Sequence, residues 1–205
     1  MSEQEGVIQF TLSHRSCDAL QHPELKTLIY WHQRIHALKL IGQSPSRYDG
    51  FAFGNMSHRI SKDEFLVSGT QTGGFSQLSA KHYAYIDHCD ITNNHVQSHG
   101  PIKPSSECMS HAAVYSASPS TMAAIHIHNP DIWQQHHALQ LSTTAANIEY
   151  GTPAMANAVL HCIKQSPQCI AMLGHEDGII CFADDMNSAG KKILALHAKI
   201  PSLKK

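Results

Sequence analysis

The sequence predicts an α/β or α+β sandwich, in which helices cover both faces of one central sheet. Short apolar runs bounded by turn residues alternate with four or five helical patterns along the chain. The 205 residues suffice for one sizeable core, and no stretch resembles a flexible linker. Hydrophobic residues make up 42% and charged residues 15%, which is a globular composition. We therefore expect a single domain over residues 1–205.

The charge and the apolar runs exclude several classes of partner. The formal net charge of −1 gives no electrostatic reason to expect nucleic acid or an anionic membrane. No apolar run approaches the ~20 residues of a membrane helix, and the N-terminal segment lacks the blocks of a signal peptide. Six scattered cysteines without a CxxC motif favour reduced thiols. We expect a cytoplasmic protein with a small-molecule partner.

The first half of the chain predicts one helix and three strands. Apolar residues recur at helical spacing over 22–41, with Pro23 in the first turn and Gly42 at the end. Alternating or apolar segments predict strands at residues 51–60, 64–69 and 82–91. Two glycine- and hydroxyl-rich turns, 54–57 and 70–74, expose backbone N–H groups that can surround an anion, although most such turns only reverse the chain.

The second half predicts three longer helices, one short helix and three strands. Ser105 or Ser106 is the expected N-cap of the first helix, and Asp184 or Asp185 lies near the start of the last. A short helix is expected through Trp133. The longer helices are residues 107–116, 152–163 and 185–198, and the strands are residues 122–127, 169–173 and 178–182.

Two histidines at the end of an apolar strand suggest a metal site. His126 and His128 are two residues apart, so on a strand they point to the same face about 7 Å apart. A zinc site needs a third ligand, and His175 is the best candidate because it also ends an apolar strand beside glycines. A set of three histidines leaves one coordination position open, as in catalytic zinc sites. The alternative is ordinary, hydrogen-bonded imidazoles in a chain with seventeen histidines.

A carboxylate and two serines precede the same histidine pair. Glu107 lies at the start of a predicted helix, directly after Ser105 and Ser106. The free N–H groups and the dipole at a helix N-terminus favour an anion such as phosphate. Glu107 would then be placed to act as a base or an acid, although an isolated glutamate in a helix is usually solvated.

The order of motifs resembles the class II aldolase/adducin family, which includes fuculose-phosphate aldolase and methylthioribulose-phosphate dehydratase. The resemblance spans about residues 30–196 and consists of GNMSHR, a Thr/Gly-rich turn, KPSSE, HIHN, YGT and a late histidine near glycine. It implies a three-layer αβα sandwich with a central, mainly antiparallel sheet. It also implies a homotetramer with active sites between subunits.

The resemblance also implies a site. His126, His128 and His175 would hold one Zn²⁺ or another divalent transition metal per subunit, and Glu107 would be the catalytic acid/base. The residues expected to bind the substrate phosphate are Asn55, Thr70, Thr72, Gly73, Ser105 and Ser106. The implied activity is a zinc-dependent lyase, an aldolase or dehydratase, that acts on a small phosphorylated sugar or keto-sugar through a metal-stabilised enediolate.

Two alternatives remain open at the level of sequence. One is a non-catalytic, adducin-like protein-interaction domain, because a fold does not guarantee its chemistry. The other is a metal-dependent decarboxylase or epimerase of the same fold, although the epimerases carry Asp where this chain has Glu107. The chain departs from the family pattern where Glu176 and Asp177 separate His175 from Gly178, and where the C-terminal tyrosine of the aldolases is absent.

Overall fold

A computed structural model describes residues 6–19, 21–164 and 169–203 of the chain. The first five residues, on which the expectation about a signal peptide partly rests, lie outside the described residues. The five helices found in the described part are α1 (Leu25–Ala37), α2 (Cys108–Ala117), α3 (Pro130–Gln134), α4 (Pro153–Ile163) and α5 (Met186–Leu203). None of these helices is long and apolar enough to cross a membrane.

Eleven strands occur in the same part of the chain. They are β1 (Thr11–Ser16), β2 (Gly42–Gln43), β3 (Ala52–Phe53), β4 (Asn55–Arg59), β5 (Phe65–Ser68), β6 (Tyr83–Asp90), β7 (His95–Gly100), β8 (Ala123–His128), β9 (Ser142–Thr143), β10 (Cys169–Ala171) and β11 (Gly178–Ala183). Nine of them form one sheet in the order β1-β7-β6-β5-β4-β8-β11-β10-β9, and β2 pairs with β3 apart from it.

The predicted three-layer αβα sandwich is confirmed. Within the large sheet only β1–β7 and β9–β10 pair in parallel, so the sheet is mainly antiparallel. Apolar side chains of α1 and α5 pack on one face of the sheet, and those of α2 and α4 pack on the other. Each face of the sheet therefore has its own hydrophobic core, which accounts for the apolar positions on both sides of the inner strands.

The strand β8 lies in the middle of the sheet, between β4 and β11. Its residues Ala123, Ile125 and Ile127 belong to the core beneath α1 and α5, whereas Ala124 belongs to the core beneath α2 and α4. Because side chains alternate along a strand, the two histidines that end β8 share the face of Ala124. The same alternation places Asn55 of β4 directly beside His126.

Several predicted helix ends are wrong, among them the end of α5, which continues to Leu203 instead of stopping at residue 198. The helix α1 stops at Ala37, because Lys39 adopts a left-handed conformation (φ 58°) and its N–H donates to the carbonyl of His36. Gly42, the expected terminator, instead begins β2. The helix α2 begins at Cys108 with no side-chain N-cap, since Ser105 Oγ accepts from the N–H of Glu107 (3.3 Å) and so caps the preceding turn.

Four of the strands and one covalent bond were not expected from the sequence; the strands are β1, β2, β7 and β9. The polar strand β1 pairs in parallel with β7 at an edge of the sheet, where exposed side chains hide the alternation of a buried strand. Cys169 and Cys181 form a disulfide, which corrects the expectation of six reduced thiols; Cys17, Cys89, Cys108 and Cys162 are free. The two bonded cysteines face each other across β10 and β11, a pairing that their sequence spacing does not reveal.

Candidate metal and phosphate site

Three histidines converge at one end of the sheet. His126 and His128 lie at the end of β8, and His175 lies in the turn between β10 and β11. All three side chains are buried, and their candidate ligand nitrogens lie within 4.8 Å of one another. His126 Nε2 and His128 Nε2 are 2.9 Å apart. The structure thus brings together the three side chains that the sequence singled out as metal ligands.

The turn carrying His175 is held by close backbone packing. A methyl group at Gly174 would overlap the backbone carbonyl of Ile148, so only glycine allows this approach. A Cβ at Gly178 would lie 3.1 Å from the His175 ring. The ring of Tyr150 stacks on His175 at 4.6 Å between centroids. Tyr150, from the YGT segment, therefore supports the histidine.

The protonation state of the histidine cluster favours the binding of a metal ion. Burial, followed by the charge of the neighbouring His175, holds the pKa of both His126 and His128 well below the usual range. Neutral imidazole is the form that binds metal ions. His126 Nδ1 lies 3.2 Å from the carbonyl oxygen of Ile179, which as an acceptor directs the ring proton to Nδ1 and leaves Nε2 for a metal. Three convergent imidazoles are a donor set that fits Zn²⁺ or a similar divalent ion.

A buried carboxylate borders the cluster. Glu107 is only 1% exposed, and its Oε1 lies 4.0 Å from His175 Nδ1. Its Oε2 accepts a hydrogen bond from Ser110 Oγ at 3.0 Å. Ser110 follows one turn later on α2 and was not singled out from the sequence, although its spacing of three residues from Glu107 is a visible signal. The contact orients a carboxylate that is poised beside the candidate metal.

A narrow pocket adjoins the cluster on the side of β4. Five of the residues expected to bind phosphate line it, together with Gly6, with Ala52 and Gly54 at β3, and with Gly69 and Gln71 in the turn after β5. Those five are Asn55, Thr70, Gly73, Ser105 and Ser106. Thr72 does not line the pocket: its hydroxyl donates to the carbonyl oxygen of Gly69 (2.7 Å) and stabilises the turn. No charged side chain lines the pocket within the described chain, so recognition there depends on neutral groups.

His111 contacts the pocket residue Asn55 through its Nε2, 2.6 Å from Asn55 Oδ1. Its Nδ1 lies 2.6 Å from Ser57 Oγ, which is also 2.6 Å from the hydroxyl of Tyr115. Burial lowers the pKa of His111 to about 3, so the ring is neutral. These contacts link His111 to Asn55 rather than to Glu107, which lies four residues earlier in the sequence.

An arginine and a tyrosine that sequence reasoning missed lie on the other side of the cluster. The ring of Tyr48 contacts His128 edge to face (4.8 Å between centroids), and its hydroxyl donates to Asp177 Oδ2 at 2.7 Å. Arg47 pairs with the same carboxylate at 3.2 Å. Asp177 is thus engaged by Arg47 and Tyr48, while the neighbouring Glu176 is exposed. In the sequence Arg47 and Tyr48 carry no signal beyond their place in a polar loop.

Trp133, in the short helix α3, has a supporting position. Its indole N–H donates to the carbonyl oxygen of Met172 at 3.1 Å, and the ring packs against the core beneath α1 and α5. The tryptophan therefore braces the start of the turn that carries His175.

Comparison with known proteins agrees with this fold. The model of the Class II Aldolase and Adducin N-terminal domain matches residues 45–199. The l-fuculose-1-phosphate aldolase of Thermus thermophilus is 15% identical, with a TM-score of 0.66 over 87% of this chain and 91% of that chain. The sugar-phosphate aldolase of Thermotoga maritima is 13% identical, with a TM-score of 0.67 over 87% of this chain and 93% of that chain.

A third similar structure carries a broader description. YgbL of Klebsiella pneumoniae, described as a putative aldolase/epimerase/decarboxylase, is 15% identical, with a TM-score of 0.65 over 89% of each chain. At these identities the likeness concerns the fold. No curated protein matches the sequence. The family model, by contrast, covers most of the chain, and the chain therefore belongs to the class II aldolase and adducin family.

Proposed function

We propose that this protein is a zinc-dependent lyase, of the aldolase or dehydratase type, that acts on a small phosphorylated sugar or keto-sugar. One observation carries the proposal: three buried histidines with convergent nitrogens, a buried Glu107 at 4.0 Å and an uncharged polar pocket all meet at one end of the sheet. A non-catalytic interaction domain would have no use for a buried carboxylate beside three buried imidazoles, because burying such groups is costly.

The residues present have distinct roles in this proposal. His126, His128 and His175 would hold the ion, which when bound supplies Lewis-acid polarisation of a substrate carbonyl. The pocket at Asn55 would bind the substrate phosphate and thereby orient the reacting carbons. Glu107 would move the proton at the bond being made or broken, and Ser110 Oγ would hold that carboxylate in place.

The partners in this proposal are a phosphorylated small molecule and further copies of the chain. The resemblance to the family supports a homotetramer, and the net charge of −1 supports neither nucleic acid nor a membrane surface as a partner. The cytoplasmic location stays a prediction from sequence.

Metal analysis and one substitution test this function. We expect purified protein to bind one zinc ion per chain, and metal-loaded protein to turn over a member of a panel of phosphorylated ketoses followed by NMR. Glu107→Gln should keep zinc but lose about 10²- to 10⁴-fold in kcat, since it removes a positioned acid/base. The exposed Glu176→Gln is the matched control and should retain activity.

Three results would contradict the proposal. Protein that holds no divalent ion, even after zinc is added, would remove the metal centre. Full turnover by Glu107→Gln would remove the acid/base role. Products that show loss of CO₂ or inversion of one carbon, rather than cleavage of a C–C bond within the sugar or loss of water, would assign the site to a decarboxylase or an epimerase.

A further inference from the structure

In the turn between β5 and β6, Thr72 was expected to face the pocket, but Gln71 lines it instead. The hydroxyl of Thr72 donates to Gly69, and the backbone N–H of Thr72 points to the same carbonyl. The N–H of Thr70 donates to the carbonyl oxygen of Lys103. Gln71, between the two threonines, has a left-handed backbone (φ 58°) and lines the pocket. The side chain of Gln71 is therefore the new candidate for contact with an anion.

The orientation of the Gln71 amide follows from its hydrogen bond. The backbone N–H of Ala52 donates to Gln71 Oε1 at 2.9 Å. An N–H group can only donate, so the side-chain atom facing Ala52 must be the oxygen and the other must be the NH₂ group. Gln71 Nε2 is buried and has no hydrogen-bond acceptor among the described residues. A buried donor without an acceptor is costly, and a ligand that supplies an acceptor would remove this cost.

The other groups in the pocket point to the chemical class of that ligand. Ser105 Oγ already accepts from the N–H of Glu107, so its own hydroxyl proton is available for donation. Asn55 places its Oδ1 against His111, which leaves its NH₂ group for the pocket. Three neutral donors from three separate segments suit an acceptor with several oxygens, as in a phosphate group.

We propose that Gln71 binds the phosphate of the substrate through Nε2, in the place that the resemblance assigns to Thr72. The inference rests on the phosphorylated substrate of the proposed function, and it adds a specificity-determining residue to that site. The backbone of Gly6 packs against the same amide, where a methyl group at Gly6 would overlap Nε2. This packing limits the movement of the amide, and the hydrogen bond from Ala52 fixes which of its two atoms is the NH₂ group.

Calorimetric titration of full-length, zinc-loaded protein with inorganic phosphate tests the proposal. Gln71→Glu keeps an acceptor for the N–H of Ala52 but replaces the NH₂ group with a negatively charged oxygen. Gln71→Met removes the donor without adding charge, and it is the second variant should the carboxylate disturb folding. Loss of one hydrogen bond to a charged ligand predicts a Kd for phosphate about 10- to 100-fold higher in Gln71→Met, and higher still in Gln71→Glu.

Gln140→Glu is the matched control, because Gln140 is also a left-handed glutamine (φ 56°) but is exposed and does not line the pocket. It should bind phosphate as the wild type does. Equal phosphate binding by wild type, Gln71→Glu and Gln71→Met would overturn the proposal, since phosphate held by the metal alone is insensitive to residue 71.

The same samples separate this inference from the proposed function. A wild-type protein that holds zinc but binds no phosphate would overturn both the role of Gln71 and the phosphorylated substrate, while the metal centre would stand. A protein that binds phosphate with the expected dependence on Gln71, but holds no zinc, would support the inference and overturn the zinc lyase.

Discussion

The orientation of the Asn55 side chain depends on residues that do not line the pocket. A neutral His111 that donates from Nε2 to Asn55 Oδ1 must accept at Nδ1, and Ser57 Oγ at 2.6 Å can donate there. The hydroxyl of Tyr115 continues the chain to Ser57. This arrangement turns the NH₂ group of Asn55 toward the pocket, so in the proposed function His111 is a positioning residue for phosphate recognition.

Substitution of His111 should therefore affect substrate binding more than chemistry. We expect His111→Phe to raise the KM for the phosphorylated substrate about tenfold, because Asn55 loses the partner that orients it. The kcat and the zinc content should change little, and His111→Gln, which can still donate to Asn55, should restore part of the affinity. His136→Phe, at a position away from both the cluster and the pocket, is the control. A fall in kcat at unchanged KM would show that His111 supports Glu107 instead.

At the scale of elements, the turn between β10 and β11 decides whether the three histidines meet. Gly174 packs against the backbone of Ile148, Trp133 donates to the carbonyl of Met172, and the N–H of Gly178 donates to the carbonyl of His175. These contacts come from three different parts of the chain. The position of His175 thus depends on the packing of its turn as much as on the strands that flank it.

A methyl group at Gly174 tests this dependence. We expect Gly174→Ala to destabilise the protein by about 1–3 kcal/mol and to weaken zinc binding more than tenfold, since the overlap with Ile148 must displace the turn. The measurements are urea unfolding and competitive zinc titration.

Gly190→Ala is the matched control, because its methyl group would overlap the ring of Trp31 in the core beneath α1 and α5. It should destabilise the protein but leave the zinc affinity of the folded state unchanged. Equal zinc affinity in Gly174→Ala and wild type would show that the turn adapts without moving His175.

Across the whole molecule, burial keeps several histidines neutral. Desolvation is the main cause that lowers the pKa of each, and the set comprises His14, His32, His58, His111, His126 and His128. In the unfolded chain these groups titrate near pH 6.5. Their folded pKa values are lower, so the unfolded state binds more protons below pH 6.5. Their contribution to stability is complete above that pH and is lost as the pH falls toward the folded values.

The metal-free protein should consequently be sensitive to mild acid. Each buried histidine contributes a slope of up to about 1.4 kcal/mol per pH unit, so we expect the free energy of unfolding to fall more steeply than that between about pH 6 and 4.5. Urea unfolding at several pH values measures the slope. His111→Gln should reduce it, and the exposed His161→Gln should leave it unchanged. A free energy of unfolding that is constant over this interval would contradict the prediction.

The regular elements were largely predictable because their signals are local. Periodicity and capping residues indicated α4 and α5, where Thr152 and Asp185 accept the expected backbone N–H groups. The same signals failed at β1, an edge strand with exposed polar side chains, and at β7, a mostly polar strand between β1 and β6. They also failed at the end of α1, where Lys39 rather than a glycine takes the left-handed conformation.

The candidate site likewise has features that the sequence predicts and features that it does not. By itself the sequence determined the chemical groups and their local setting: two histidines on one face of a strand, a carboxylate after two serines, and a family order that predicted the fold. Only the tertiary structure decided which groups meet. The register of β4 against β8 places Asn55 beside His126, and packing against Ile148 brings in His175.

Tertiary contacts also decided that Thr72 is engaged in its own turn while Gln71 faces the pocket. The physical reason is that propensity and periodicity act over a few residues. The position of a side chain relative to distant groups depends instead on strand register, close packing and the pairing of hydrogen-bond donors with acceptors across the whole fold.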